Sequence, residues 1–397
     1  MTVDEPGRPE EPFAIVRAEV LEVALPLREP FVTSFGPTSS RRIVLVRLTD
    51  AEGRTGWGEA APLDHPFYLP DTVSGAFALI VEHALPLCLR SEVRTPSGAA
   101  AAMAAIRGNT FARAGVEQAY WVLEGARTGR SLGEVLGAVR DEVPVGESIG
   151  IKASVDDALE EVRLRLKEGY RRIKLKIAPG WDLEIVREVR RAFGPDVVLQ
   201  VDANAAYTLD DAEHLARLDE FDLACVEQPL EYDDLLGHAE LQRRMITPIC
   251  LDESLRSARD VRAALRIGAC RSVNLKAGRV GGLTESLEIH AICRDHGASL
   301  WCGGMLESGI GRAANLALAG LPGFDQPADM SPASVLYEED LVDPTYHVDP
   351  DGFIAVPTAP GLGFPVAEDR VRSRTIRRAE LDASGEIRAF DDERRPR

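Results

Sequence analysis

The sequence predicts an α/β fold in which a barrel of parallel strands and helices follows a separate α+β domain. From about residue 143, a short apolar strand followed by an amphipathic helix recurs along the chain. The polar residues that close these strands recur at a nearly constant step, at Lys176, Asp202, Glu227, Asp252, Lys276 and Cys302. The first ~130 residues instead show the alternation typical of antiparallel strands.

Length and charge limit the class of protein. The chain has 397 residues, with 46 basic and 64 acidic side chains and a net charge of −18. That length suits two or three domains at roughly 100–200 residues each. The acidic balance argues against nucleic-acid and anionic-membrane partners, which need a basic face. Because no apolar run approaches the ~20 residues of a membrane span and the N-terminus lacks secretory features, we expect a cytoplasmic protein.

Cysteines and histidines indicate neither disulfides nor a zinc site. The six cysteines form no CxxC pair, and most lie in apolar runs, so we expect reduced core residues. The seven histidines show no HxH or HExxH spacing.

The pattern of residues 1–135 predicts the α+β domain. FAIVRAEVLEVALPL, RRIVLVRLTD and the turn AEGRTGWGEA have the pattern of an antiparallel meander with a glycine-rich hairpin. Helical segments follow, among them NTFARAGVEQAYWVLEGARTG.

Residues 136–330 predict the barrel. Its strands are VPVGESIGI, RRIKLKIA, VVLQVDAN, LACVEQPL, PICLDES, SVNLKAG and SLWCGG. Their closing residues are 26, 25, 25, 24 and 26 positions apart, the length of one strand, one helix and two loops. Apolar strands alternating with helices predict a parallel sheet, and seven or eight units close into a barrel. An open doubly wound sheet is the alternative, although no GxGxxG turn follows an early strand.

Residues 331–397 are proline-rich and loosely patterned and end in SGEIRAFDDERRPR. We expect the last dozen residues to form a frayed tail.

Three consecutive strands end in carboxylates, at Asp202, Glu227 and Asp252. Because the C-terminal ends of barrel strands meet at one face, these side chains should lie close together. Neighbouring carboxylates raise one another's pKa unless a cation intervenes, and an all-oxygen set suits Mg²⁺. Each carboxylate could instead cap the following helix, but the equal spacing and the flanking lysines favour a metal site.

Lysines lie on both sides of this row. Lys174 and Lys176 are two positions apart on one strand, so both project into the interior. Mutual repulsion and a nearby Mg²⁺ lower their pKa values, which makes Lys176, nearer the strand end, the expected base. Lys276 closes a strand on the opposite side of the metal.

This arrangement predicts abstraction of a proton alpha to a carboxylate, with magnesium stabilising the enediolate. Reprotonation would racemise the substrate, and loss of a β-leaving group would give an alkene. A metal-free barrel aldolase is the rival, with a lysine Schiff base and a phosphate held at Gly303 and Gly304. EDTA would discriminate, since it should abolish only the metal-dependent activity.

Motifs extending from about Pro12 to Gly363 carry a family resemblance. They include YRRIKLKIAPGWD, LQVDANAAYTLDDA, VEQPL, TPICLDES and VNLKAGRVGGLTES, with VTSFG and GWGEAAP near the N-terminus. In this set the sequence resembles the muconate-lactonising subgroup of the enolase superfamily. WCGGMLESGIGRAANLAL is similar to the branch of o-succinylbenzoate synthases that also act as N-acylamino (N-succinylamino) acid racemases.

The resemblance implies a modified TIM barrel, (β/α)7β, under an α+β capping domain that the C-terminal segment completes. It also implies one Mg²⁺ ion, for which Mn²⁺ is a possible substitute, a small carboxylate substrate and a homo-oligomer. The carboxylate row matches the metal-ligand positions, and Lys176 and Lys276 match the acid/base pair.

Other positions follow from the resemblance alone. Lys174, Asn204 and Ser148 match polar positions that face the substrate, and Phe35 is expected to form a specificity wall. Met305 and Glu307 open the loop after the seventh strand and are expected to touch the distal end of the substrate. Behind them, Glu253 is expected to orient a lysine, or to cap a helix, and Arg279 to support the site.

Some features depart from the family pattern. The usual Trp-Asp pair is Trp121-Val122, which should affect only domain packing, and the loop APLDHPFYLPDT is atypical, which puts the substrate in doubt. SLWCGG lacks the histidine of mandelate-racemase relatives, which argues against sugar-acid dehydratases. We expect a magnesium-dependent o-succinylbenzoate synthase with N-succinylamino acid racemase activity. The alternatives for the main activity are N-acylamino acid racemase, dipeptide epimerase and muconate cycloisomerase.

Overall fold

The structure, a computed structural model, describes residues 14–33 and 36–392. Both ends of this described chain contribute to one antiparallel sheet. Its strands, numbered along the chain, are β1 (Ile15–Thr33), β2 (Gly36–Asp50), β3 (Thr55–Ala60), β13 (Thr375–Asp382) and β14 (Ile387–Asp392). They lie in the order β14-β13-β1-β2-β3. The C-terminal segment thus completes the N-terminal sheet, and main-chain pairing of β14 with β13 orders part of the stretch predicted to fray.

The alternating sequence pattern explains this sheet. Val20 of β1 lies between Val46 of β2 and Ala379 of β13, and all three side chains are buried. The predicted glycine-rich hairpin joins β2 to β3, where Gly53 adopts a φ of 79°. Asp50 closes this turn, since its Oδ1 accepts the N–H of Arg54 at 2.8 Å.

Helices cover the inner face of the sheet. They are α1 (Val73–Leu79), α2 (Leu85–Arg90), α3 (Pro96–Ala102), α4 (Thr110–Thr128) and α5 (Leu132–Leu136), with a π-helical turn at Ile80–Ala84. Glycines let α4 lie directly on β3. A Cβ atom at Gly58 would lie 2.0 Å from the carbonyl oxygen of Gly115, and one at Gly56 would lie 2.1 Å from that of Ala119. The close packing of α4 on β3 therefore requires the two glycines of the TGWGEA motif.

One helical stretch of the described chain, Val73–Arg90, is long and apolar enough by composition to cross a membrane. It has 18 residues and is 56% buried within the protein. A helix packed in this way is typical of a core helix, because its apolar side chains already have protein neighbours.

The second part is the barrel. Its parallel strands are β4 (Glu142–Ile149), β5 (Arg172–Lys176), β6 (Leu199–Asp202), β7 (Val226–Glu227), β8 (Ile249–Leu251), β9 (Ser272–Leu275), β10 (Ser299–Cys302) and β11 (Ala328–Asp329). They are hydrogen-bonded in chain order from β4 to β10, and β11 pairs with β4. The sheet is nearly closed, which confirms the predicted fold class. The seven predicted strands are all present, and β11 is an eighth strand that the sequence patterns did not indicate.

Helices surround the barrel. They are α6 (Val155–Lys167), α7 (Leu183–Phe193), α8 (Ala212–Leu215), α9 (Leu235–Arg244), α10 (Ala258–Ile267), α11 (Ala277–Val280), α12 (Leu283–His296) and α13 (Gly309–Ala319), with 3₁₀ turns at Leu209–Asp211 and Ala216–Phe221. Capping explains several of their ends. The Ser257 side chain accepts the N–H of Asp260 at the start of α10, and left-handed Gly268 ends that helix.

The chain then returns towards the first sheet. The elements after the barrel are α14 (Ala333–Leu336), β12 (Phe353–Ala355) and α15 (Glu368–Arg374). Strand β12 pairs antiparallel with the start of β4. All six cysteines are buried and free, as expected for reduced core residues.

Candidate active site

Polar side chains converge at the C-terminal ends of the barrel strands. In the β-sheet register, Lys176 lies beside Asp202, and Asp202 lies beside Glu227. Asp252 and Lys276 directly follow β8 and β9. All five residues are buried, and they come together because parallel strands end at the same face.

The two lysines lie on opposite flanks of the carboxylate row. The Nζ of Lys176 donates to Oδ2 of Asp202 at 2.6 Å and to Oδ1 of Asn204 at 2.7 Å. On the other flank, the Nζ of Lys276 donates to Oδ2 of Asp252 at 2.7 Å. Each lysine therefore has its own carboxylate partner.

Glu227 occupies the centre of the row. Its Oε2 accepts from Gln200 at 2.7 Å and from Lys174 at 3.2 Å, and its Oε1 accepts from Asn274 at 2.7 Å. Burial and the neighbouring negative charge of Asp202 raise the pKa of Glu227 to about 7. The centre of the row is therefore short of positive charge.

The outer carboxylates are electrostatically different. Burial alone would raise the pKa of Asp202 and of Asp252, but the adjacent ammonium groups outweigh it and lower both pKa values. For Asp252 the main opposing charge is that of Lys276, followed by Arg279. Both outer groups are thus held in the ionised form.

The donor chemistry of this row fits a hard divalent cation. All three side chains offer carboxylate oxygens from adjacent strands in a buried site, and their repulsion is visible in the raised pKa of Glu227. Within the described residues, however, no three acidic, histidine or cysteine side chains are already grouped to hold a metal ion. Lysine, arginine, amide, tyrosine and main-chain donors contact the six oxygens instead, among them the Tyr68 hydroxyl at 2.8 Å from Asp252.

The other predicted polar residues lie beside the lysines. Ser148 is paired in register with Lys174, and its buried hydroxyl has no hydrogen-bond partner among the residues that the structure describes. Lys174 makes its shortest ion pair with Asp329 at 2.6 Å. Asn204, which has a φ of 44°, donates to Oε1 of Glu253 at 3.0 Å.

Glu253 and Arg279 support the two flanks separately. Glu253 contacts Asn204, which in turn accepts from Lys176. Arg279 forms an ion pair with Asp252 and donates from its Nε to the carbonyl of Leu255 at 2.7 Å. Through these contacts the two residues restrain the partners of the lysines.

A cavity of about 790 Å³ opens above the row and is lined by both parts of the chain. Lys174, Lys176, Lys276, Asn204, Ser148 and Met305 line it. Its outer wall carries exposed Phe67 together with Arg28 and Lys152. A cavity with the lysines on its floor can hold a small carboxylate molecule.

Glu307 and Phe35 are the remaining predicted contact residues. Glu307 does not line this cavity, because its side chain turns towards α13, where it accepts from Asn315 at 3.1 Å and pairs with Arg312 at 3.3 Å. The structure therefore gives no support to the expected contact of Glu307 with substrate, which stays a prediction. Phe35 lies outside the described residues.

Sequence reasoning missed several residues of the site. Gln200 and Asn274 each lie two positions before a predicted residue, on the same strand face, which is a usable signal. Asp329 closes β11, 27 positions after Cys302, and so continues the regular step. Tyr68 is different, since it comes from the loop between β3 and α1 and contacts Lys276 at 3.2 Å.

Comparison with known proteins agrees with this architecture. Residues 15–137 match the N-terminal domain of the mandelate racemase / muconate lactonizing enzyme family, and residues 157–370 match the enolase C-terminal domain-like family. The chain belongs to the enolase superfamily. It is therefore an enzyme, and enzymes of the enolase superfamily generally depend on magnesium.

Relatives within the enolase superfamily match over most of their length. An o-succinylbenzoate synthase of Geobacillus kaustophilus is 46% identical over 88% of this chain and 92% of its own. An N-succinylamino acid racemase of Amycolatopsis sp. is 47% identical over 88% of this chain and 95% of its own. A crystal structure of a superfamily member from Listeria innocua is 38% identical, has a TM-score of 0.90, and the match covers 94% of this chain and 100% of that one.

Proposed function

We propose that this protein is a magnesium-dependent o-succinylbenzoate synthase that also racemises N-succinylamino acids. The observation that carries the proposal is the placement of Lys176 and Lys276 on opposite flanks of one buried carboxylate row. A planar enediolate between them would present one face to each lysine. The named relatives, at 46% and 47% identity, support the same pair of activities.

In this proposal Asp202, Glu227 and Asp252 hold the metal ion. When bound, magnesium, or manganese in its place, supplies positive charge that stabilises the developing enediolate. The lysine and amide donors that now contact the carboxylates would then be available to the substrate.

The lysines do the proton chemistry. In the dehydration, the Nζ of Lys176 removes the proton alpha to the carboxylate, and the ammonium group so formed returns that proton to the β-hydroxyl, which leaves as water. Lys276 stabilises the anion as a cation. In the racemisation, one lysine removes the proton and the other returns a proton to the opposite face. Lys174 remains a cation: burial lowers its pKa, but the charges of Asp329, Glu227 and Asp202 together outweigh burial and raise this pKa above its usual value, contrary to the lowering expected from the sequence.

The proposal also covers the class of substrate, the assembly and cell compartment of the enzyme, its pathway and its domains. The substrate is a small carboxylate, and the site lies in a cytoplasmic homo-oligomer with no nucleic-acid or membrane partner. The synthase activity would place the enzyme in menaquinone biosynthesis. The division into a capping domain of residues 1–135, a barrel of 136–330 and a returning segment of 331–397 belongs to the same proposal.

Chelation and isotope exchange test the function. EDTA should abolish both dehydration and racemisation, and added Mg²⁺ should restore them. In deuterated water, the wild type should exchange the α-proton of both enantiomers of N-succinylphenylalanine. Activity that persists in EDTA, with trapping of a lysine adduct by borohydride, would instead support the aldolase alternative.

A further inference from the structure

The loop after β10 forms one wall of the cavity. Gly304, Met305 and Leu306 line the cavity, and α13 begins at Gly309. The position of this wall determines how much room lies beyond the lysines.

The loop is held by distant parts of the chain. Arg41 of β2 donates from Nη2 to the carbonyl of Met305 at 3.1 Å, and the Tyr337 hydroxyl donates to the carbonyl of Leu306 at 2.5 Å. Leu306 has a φ of 55°, which is unfavourable for leucine and needs such external contacts. The conformation of the loop is therefore not determined locally.

Glu59, at the end of β3, holds the other end of the loop. Its Oε1 accepts the N–H of Ser308 at 3.1 Å, and its Oε2 accepts the N–H of Gly311 at 3.0 Å. Glu59 Oε2 also accepts from the Ser308 hydroxyl. Asp340 completes the end of α13 by accepting the N–H of Gly309 at 2.8 Å.

This junction is closely packed. A Cβ atom at Gly311 would lie 3.0 Å from Cδ of Glu59, and one at Gly309 would lie 2.5 Å from Oδ2 of Asp340. The carboxylates therefore sit directly on the helix end, without room for a side chain between them. Movement of β3 relative to the barrel must move the start of α13 and the cavity wall before it.

We propose that Glu59 is a positioning residue that sets the cavity wall at Met305 and Leu306, and thereby the affinity for the distal part of the substrate. This inference rests on the proposed function, because the distal part is taken to be an acyl group. Lys276 touches this loop at the Sδ of Met305, 3.7 Å away, but its shorter ion pair with Asp252 at 2.7 Å holds its ammonium group from outside the loop.

The chain contains a matched control. Glu117 of α4 is also fully buried and accepts main-chain N–H groups at the start of a barrel helix, from Leu283 at 2.5 Å and Thr284 at 2.9 Å of α12. The segment from Ala277 to Leu283 does not line the cavity above the lysines. Loss of either carboxylate should destabilise the contact between the capping region and the barrel. Of the two, Glu59 is the one that binds the loop forming the cavity wall.

The experiment compares Glu59→Gln with Glu117→Gln in the full-length, magnesium-loaded enzyme. Glutamine has the same shape but places an NH₂ donor where a main-chain N–H needs an acceptor. Racemisation of N-succinylphenylalanine and of N-acetylphenylalanine is measured. Glu59→Gln should raise the KM for the succinyl substrate about tenfold, as expected for one buried hydrogen-bonding group left without its partner, with a smaller rise for the acetyl substrate and little change in kcat.

Glu117→Gln should lower the melting temperature without changing the ratio of the two KM values. The proposal would be overturned if Glu59→Gln raises the KM values for the succinyl and the acetyl substrate by the same factor, so that their ratio stays that of the wild type and of Glu117→Gln. Ser308→Ala, which removes a single contact with Glu59, carries the same test if Glu59→Gln does not fold.

Amide hydrogen exchange gives a readout that does not depend on activity. Glu59→Gln should accelerate exchange at residues 305–311, whereas Glu117→Gln should accelerate it at the start of α12. Unchanged exchange at 305–311 would contradict the link to the wall. A wild type that racemises neither substrate would contradict the proposed function instead, and the exchange result would still decide the role of Glu59.

Discussion

The two lysines have different surroundings, although they face the same carboxylate row. Among the described residues, Lys176 donates hydrogen bonds to the barrel residues Asp202 and Asn204. Lys276 contacts Asp252, Tyr68 from the capping region and the Sδ of Met305 at 3.7 Å. Each lysine should therefore serve one face of the substrate.

This separation predicts the behaviour of single lysine variants. In deuterated water, Lys276→Ala should lose racemisation but still exchange the α-proton of the enantiomer that faces Lys176, and Lys176→Ala should show the mirror result. Loss of one general base should slow the affected exchange by ~10²–10⁴-fold. Nuclear magnetic resonance of each enantiomer measures this, and a variant that still exchanges both enantiomers would make the two-base assignment wrong.

Asp252 is the residue at which the metal proposal is most directly tested. Asp252→Asn should weaken Mg²⁺ binding by more than about tenfold, the lower limit seen for residues that only support metal ligands. Calorimetric titration of EDTA-treated protein measures the affinity, and circular dichroism checks the fold. Asp219→Asn is the control, because that carboxylate binds the N–H groups of Ile246 and Thr247 outside the site. Equal affinity in both variants would remove the basis for the site.

At the scale of secondary-structure elements, the packing of α4 against β3 depends on individual glycine residues. The carbonyl of Gly115 lies where a Cβ of residue 58 would be placed. The pattern GWG in the sequence was predicted only as part of a hairpin, but its glycines serve helix packing as well.

Gly58→Ala should therefore destabilise the protein by about 3 kcal/mol, since α4 must move away from β3. Urea unfolding measures the change. Gly75→Ala is the matched control in α1, where the added Cβ would meet only Thr72 Oγ1 at 3.1 Å. We expect that variant to have nearly the stability of the wild type, and similar losses in both would contradict the packing argument.

For the whole molecule, buried carboxylates link stability to pH. Burial raises the pKa of Glu147 in β4 to about 7 from 4.5, although hydrogen bonds from Ser331 and Tyr170 and the charge of Arg165 oppose this. Nearby Asp329 adds to the rise. The native state thus binds a proton that the unfolded state releases between these pH values, so this contribution to stability is lost as pH rises.

Glu147→Gln should remove this dependence. Its stability relative to the wild type should increase by up to about 3 kcal/mol between pH 4.5 and pH 7, because each pKa unit corresponds to about 1.4 kcal/mol. Urea unfolding at several pH values, with the same ionic strength, measures the difference. A constant difference between variant and wild type across this range would show that Glu147 keeps an ordinary pKa.

At the same scale, the regular spacing in the sequence is enough to predict the barrel and its central residues. A nearly constant step between Lys176, Asp202, Glu227, Asp252 and Lys276 predicts their convergence, because the ends of parallel strands meet whatever lies between them. The step also extends to Asp329, although β11 is too short to be recognised from its own pattern.

The contacts between the capping region and the barrel could not be predicted from the sequence. Tyr68 reaches Lys276 and Glu59 reaches Ser308 across more than 200 positions, with no period that links them. Glu307 was expected to face the substrate from its place in a motif, but Arg312 and Asn315 draw its side chain towards α13. Periodicity reports the faces of an element, whereas the docking of one layer on another depends on shapes and charges that are distant in sequence.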